Sequence, residues 1–112
     1  MKVLVVDKFP TGALEKLRAH GFDVAYHPDV KGEAFTAAVK DAAADALVVR
    51  STKVTEETLK AGPRISLVVR AGSGFDNIDL PACSRRGIYV ATCPGRNSTA
   101  VAELTWGLIL AL

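Results

Sequence analysis

Five short apolar runs, each separated from the next by a stretch of helical character, restrict this 112-residue chain to one kind of architecture. The first, residues 2–7 (KVLVVD), stays apolar from Val3 until Asp7 and Lys8 interrupt it. Residues 46–49 and 88–91 repeat the theme, and residues 22–26 and 65–69 do so with one polar interruption each, Asp23 and Ser66. A strand with one wet face alternates apolar and polar positions. A continuous run marks a strand covered on both faces, which is the habit of parallel sheets.

The segments between the runs have helical starts and stops. Residues 11–20 carry Leu14, Leu17 and Arg18 at helical spacing, with Thr11 to cap the start and Gly21 to close the end. Residues 33–41 place Phe35, Ala38 and Val39 on one face, and the Ala42-Ala43-Ala44 run is expected to be helix as well. Thr55 starts a short helix whose first turn holds Glu56 and Glu57, where the helix dipole favours acids, and Gly62-Pro63 ends it. Residues 79–86 read as helix stopped by Gly87, and a last helix begins at Asn97 or Ser98 and is still running at Leu112. His20 falls at a helix end and His27 in a loop after the second strand.

Strands alternating with helices imply right-handed crossovers and a parallel sheet with helices on both faces. Five strands suit a flavodoxin-like, doubly wound α/β domain with strand order 2-1-3-4-5.

Composition narrows the function. Hydrophobic residues make up 49% and charged residues 23%, which suits a folded globular domain. A net charge of +2 makes no case for nucleic acid or an anionic membrane. The apolar tail at residues 104–112 is far below the ~20 residues of a membrane span. Cys83 and Cys93 form neither a disulfide framework nor a zinc spacing, so a reduced, cytoplasmic setting is expected. In that tail Leu104, Trp106, Leu108, Ile109, Leu110 and Leu112 spread around more than one face, and no polar residue closes the helix. One reading is a fully buried terminal helix. The preferred one has residues 1–97 as the domain and 98–112 as the start of a helix linking to a second domain. An isolated chain would then self-associate through the Trp106 helix.

In open parallel sheets, ligands bind beyond the carboxyl ends of the strands, near the point where strand order reverses. That edge should gather Lys8, Arg50, Ser51, the turn from Arg70 to Gly74, and Arg96-Asn97. Gly72-Ser73-Gly74 lets backbone amides approach an anion, and a guanidinium fork suits a planar carboxylate. Taken singly, Arg50 could serve a salt bridge and the glycine turn could be only a tight connection. Together they point to a pocket for a small organic anion.

Three look-alikes fail. Gly72-Ser73-Gly74-Phe75-Asp76-Asn77 has Asn77 where a dinucleotide fingerprint needs its third Gly, and it follows the fourth strand instead of the first. A phosphoacceptor receiver would need Asp where Arg50 stands. A cysteine phosphatase loop starting at Cys93 would need Arg where Thr99 stands. Cys93 and Cys83 read as packing residues, and neither His20 nor His27 has a plausible carboxylate partner nearby in sequence.

Three ordered motifs, VVRSTKVT (48–55), VVRAGSGFDNIDL (68–80) and RRGIYVATCPGRNSTAVAEL (85–104), together with the first strand, resemble the N-terminal domain of the D-2-hydroxyacid dehydrogenases. Within that family the likeness is strongest to the branch acting on 3-phosphoglycerate. The resemblance implies an NAD-dependent oxidoreductase of two domains with a cleft between them. The first domain helps bind a small anionic 2-hydroxy or 2-keto acid, and the second binds NAD and carries most of the catalytic groups. It implies that Arg50 and Ser51 face the substrate, that Gly74 offers amides to its carboxylate, and that Arg70 adds positive charge near a phosphate. It places Ser73 beside the nicotinamide and Asn97 at the cleft border. Cys93 departs from an Asn common in the family. No segment of the chain matches the family's catalytic Arg, Glu and His, so the chain alone should be inactive; the resemblance also implies a homo-oligomer for the whole protein. The competing expectation is a stand-alone anion-binding or scaffold module without catalysis.

Overall fold

In a computed structural model, residues 2–8, 11–71, 74 and 76–93 are described. Strand β1 (Lys2–Val6) is the centre of construction, paired in parallel with β2 (Asp23–His27) on one side and with β3 (Ala46–Val49) on the other. Strand β4 (Leu67–Ala71) joins β3, and β5 (Tyr89–Cys93) completes the sheet in the order β2-β1-β3-β4-β5. The doubly wound flavodoxin-like order expected from the apolar runs is therefore present. Because β2 lies to one side of β1 and β3 to the other, the winding reverses between β1 and β3, and that seam opens a crevice at the strands' carboxyl ends.

Each uninterrupted apolar run divides its side chains between two cores. Val3 and Val5 of β1, Ala46 and Val48 of β3, and Leu67 and Val69 of β4 point to the face covered by Leu14 and Leu17 of α1 (Thr11–Ala19). Leu4, Val6, Leu47, Val49 and Val68 point to the other face. There they meet Phe35, Val39 and Ala42 of α2 (Glu33–Ala42), Leu59 of α3 (Glu56–Ala61), and Ala82 and Cys83 of α4 (Leu80–Arg85). Alternation by two residues fills both layers only when every position is apolar, which is why these strands show no polar rhythm.

Several local expectations are corrected by tertiary demands. The alanine run does not extend the helix: α2 ends at Ala42, and Ala43 turns left-handed at φ 47°. The reversal buries Ala44 and carries Asp45 to the amino edge of the sheet, where its Oδ2 accepts the Lys2 amide at 2.9 Å. Strands β4 and β5 are shifted along the chain from the apolar runs. They begin at Leu67 and Tyr89 instead of Ile65 and Ile88, and each ends two residues later, where Arg70 pairs with Thr92 and Ala71 with Cys93. His27 is the last residue of β2 and not a loop residue. Asp7, expected to finish the first strand, leaves it with φ 68°. Thr11 is the first helical residue of α1 and not the residue before it. Thr55, in contrast, does cap α3, accepting the Thr58 amide in a reciprocal capping box, and Asp79 caps α4 through the Ala82 amide. The expected linking helix at 98–112, with Trp106, lies outside the described residues.

Candidate functional site

At the carboxyl edge of the β1–β3 seam, a buried carboxylate organises the loop that carries the candidate arginine. Asp7 is only 7% exposed. Its Oδ2 accepts the backbone amides of Arg50, Ser51 and Thr52 at 2.9, 3.0 and 3.0 Å, and its Oδ1 accepts the Thr52 hydroxyl at 2.6 Å. Three successive amides turned toward one point form an anion nest, and here the chain's own carboxylate fills it. Burial pushes the Asp7 carboxyl up, but the Thr52 hydroxyl and the amides of Arg50, Thr52 and Ser51 outweigh that and hold it below its ordinary value of 3.8. The left-handed backbone at Asp7, which a short polar side chain tolerates, swings the carboxylate across the seam.

The same loop is gripped from its other side. Arg70 donates from Nε to the Arg50 carbonyl at 3.1 Å and from Nη1 to the Gly74 carbonyl at 2.9 Å. Asn77 donates from Nδ2 to the carbonyls of Arg50 at 3.3 Å and Thr52 at 2.8 Å. A parallel bridge between Val54 and Ile78 fixes Asn77 in turn, with the Val54 amide on the Asn77 carbonyl at 2.8 Å. Gly74 has φ +85°, a conformation that favours glycine.

These elements enclose a cleft of about 480 Å³ lined by Asp7, Lys8, Pro28, Asp29, Lys31, Arg50, Ser51, Arg70 and Ala71. Four cations face two acids there, and one of those acids, Asp7, is occupied by internal donors. Arg50 is exposed, and one Nη1 hydrogen bond to the Lys8 carbonyl at 3.1 Å braces it across the seam. A guanidinium has five N–H donors, so this brace orients the fork without exhausting it. A second, more apolar groove of about 780 Å³ runs from Lys31 and Ser51 past Phe35 toward the starts of α2 and α3.

Arg50, Ser51 and Arg70, expected from the sequence, thus meet in one cleft, and Lys8 joins them. Gly74 is tied to the cleft through Arg70 and does not line it, and what the structure shows engaged is its carbonyl. Ser73, Gly72 and Asn97 lie outside the described residues, as does the side chain of Cys93. The Arg70 guanidinium serves first as a brace between two backbone carbonyls. Sequence reading missed Asp7 and Thr52 as organisers, and weighed Asn77 only as a gap in a glycine fingerprint. The one available signal was an acid ending a buried strand, opposite the loop after the third. The wall from Pro28 to Lys31 was likewise unmarked. Neither histidine lines the cleft, and among the described residues no group of three or more His, Cys, Asp or Glu could hold a metal ion. No described helix is long and apolar enough to cross a membrane.

A family model described as D-isomer specific 2-hydroxyacid dehydrogenase, catalytic domain, matches residues 3–107. D-3-phosphoglycerate dehydrogenase of Sus scrofa is 40% identical over 112 residues, which are 99% of this chain and 21% of the relative. Hydroxypyruvate reductase of Thermotoga maritima is 48% identical over 68 residues, 60% of this chain and 22% of that protein. Among solved structures, the NAD+-bound 3-phosphoglycerate dehydrogenase of Entamoeba histolytica superposes with a TM-score of 0.75 at 38% identity, covering 97% of this chain and 38% of the other. The chain spans about a fifth of the length of the curated relatives it matches.

Proposed function

The chain belongs to the D-isomer specific 2-hydroxyacid dehydrogenase family, and we propose that it is the part of such an enzyme that binds the hydroxy acid, with 3-phosphoglycerate as the acid. The observation that carries this reading is the convergence of Lys8, Lys31, Arg50 and Arg70 on one cleft at the seam where the winding reverses. A phosphorylated hydroxy acid presents a carboxylate and a phosphate, and two anionic ends suit four cations better than the single carboxylate of lactate. In this assignment Arg50 and Ser51 meet the acid, Arg70 adds charge beside its phosphate, Gly74 offers its amide to the carboxylate from beside the cleft, and Asn97 borders the cleft. The relatives named D-3-phosphoglycerate dehydrogenase support this choice. The T. maritima relative, named hydroxypyruvate reductase, favours an unphosphorylated acid as the second reading.

NAD is the proposed oxidant, held mainly outside this chain, with Ser73 near its nicotinamide. The first strand-to-helix connection does not fit a pyrophosphate: β1 is followed by the Asp7 carboxylate and Lys8, and the sequence holds no glycine before Thr11. The role of this chain is to bind and orient the acid, with the proton-accepting base supplied from the rest of the protein. Residues 1–97 form the acid-binding unit and 98–112 lead toward the NAD-binding part, in a homo-oligomeric protein of the reduced cytoplasm.

Steady-state oxidation by NAD, measured on the full protein with 3-phosphoglycerate, D-glycerate and D-lactate, tests the reading. The highest kcat/KM is expected for 3-phosphoglycerate. A preference for D-glycerate selects the second reading. Tight acid binding without NADH formation would instead support a non-catalytic binding module.

A further inference from the structure

Arg50 and Ser51 follow directly on a buried strand, and their backbone amides and the Arg50 carbonyl are all taken by side chains from elsewhere in the chain. Besides Arg70, which donates to the Arg50 carbonyl, two residues distant in sequence hold the path of this backbone. On one side the Asp7 carboxylate gathers the amides of Arg50, Ser51 and Thr52 within 3.0 Å, and the Thr52 hydroxyl closes the ring at 2.6 Å. On the other, the Asn77 amide group donates to the Arg50 and Thr52 carbonyls. Its orientation is not exchangeable, since a carbonyl oxygen turned toward two carbonyls would repel both. The Asn77 Oδ1 is buried and has no hydrogen-bond partner among the described residues. The chain tolerates an orphaned acceptor in order to keep both donors on the loop.

We propose that Asp7 and Asn77 are positioning residues for the hydroxy acid, a two-sided clamp that holds the backbone of residues 50–52 so that Arg50 and Ser51 face the cleft. The assignment rests on the acid-binding reading above. A guanidinium displaced by about an ångström loses a bidentate contact, and small misplacements of this kind are costly to substrate binding. The clamp touches neither of the anionic groups the cleft would take. Asp7 has both oxygens engaged by internal donors, and Asn77 does not line the cleft.

The experiment compares Asp7→Ala, Asp7→Asn and Asn77→Ala in the full protein, reading KM for 3-phosphoglycerate, KM for NAD and kcat. Asp7→Ala is expected to raise KM for the acid about tenfold or more, and Asn77→Ala about fivefold, with KM for NAD unchanged. Asp7→Asn should recover most of the loss. Its Oδ1 can accept the three amides while its Nδ2 donates to the Thr52 hydroxyl oxygen. A purely structural role would lower the active fraction and kcat and leave both KM values alone. Should Asp7→Ala not fold, Asn77→Ala, altered at a half-buried position, decides by itself. A wild type inactive on every 2-hydroxy acid overturns the acid-binding reading and this assignment with it. An active wild type whose folded variants keep their KM for the acid overturns the clamp alone.

Discussion

The Nε of Arg70 donates to the backbone carbonyl of Arg50 at 3.1 Å, so the two arginines facing one cleft are joined through the main chain. The Nη1 of the same guanidinium reaches Gly74 at 2.9 Å. Lysine carries its three N–H donors on one nitrogen and lacks the planar fork whose Nε and Nη1 reach the two carbonyls here. Arg70→Lys, though it keeps the charge, is expected to raise KM for the acid about tenfold, equivalent to about 1.4 kcal/mol. An unchanged KM in steady-state assays would show that charge, and not the brace, is what position 70 supplies.

Two glycines should fail on substitution for opposite reasons. A Cβ at Gly62 would lie 2.6 Å from Ile65 Cδ1 and 2.7 Å from Val39 Cγ1, so Gly62→Ala is an overpacking change. It is expected to cost about 1–3 kcal/mol in urea unfolding, and Ile65→Val in the same chain should recover part of that by removing Cδ1. Among the described residues a Cβ at Gly74 would meet nothing nearer than Arg70 Nη1 at 3.8 Å. The cost of Gly74→Ala, about 1–2 kcal/mol, comes from the positive φ, and trimming neighbours should not relieve it. Rescue of Gly74→Ala by a smaller neighbour would contradict this.

Asp7 also makes a prediction about acid stability. Its carboxyl sits below 3.8 when folded because the Thr52 hydroxyl and three amides overcome the burial that would raise it. The ionised form is thus favoured by folding. Its contribution is fully present above the unfolded carboxyl value of about 3.9 and is lost as pH falls through the lower folded value. The urea midpoint should therefore drop below about pH 4 more steeply in the wild type than in Asp7→Asn, which has no carboxyl to protonate there. Parallel acid limbs for the two proteins would contradict it.

Burial, and then the nearby Asp79 charge, push the Cys83 thiol above its ordinary 9.0. It is buried at the sheet-facing side of α4. Only the thiolate reacts readily, so peptide mapping after alkylation at neutral pH should find Cys83 unmodified in the folded chain and modified in urea. Rapid labelling without denaturant would show that α4 opens locally.

The fold was legible from residues 2–7, 46–49 and 65–69 because burial of a strand on both faces writes itself into contiguous residues. Local signals also announced the start of α3 at Thr55, but not the end of α2, because Ala43 and Ala44 read as more helix. Those alanines carry no helix-breaking chemistry. Ala43 turns left-handed all the same, and two residues on Asp45 accepts the Lys2 amide, a partner 43 residues away.

The candidate site divides along the same line. Arg50 and Arg70 could be placed at one edge because strand order alone brings the ends of β3 and β4 together. The use made of them could not. Asp7 is 43 residues from Arg50, and Asn77 is 27 residues from it, beyond β4. Their hydrogen bonds exist only after β1, β3 and β4 have aligned within the sheet. Apolar patterning is a property of neighbours along the chain and survives in the sequence. A hydrogen-bonded clamp depends on angles and distances of a few tenths of an ångström between remote segments, and only the packed sheet supplies those.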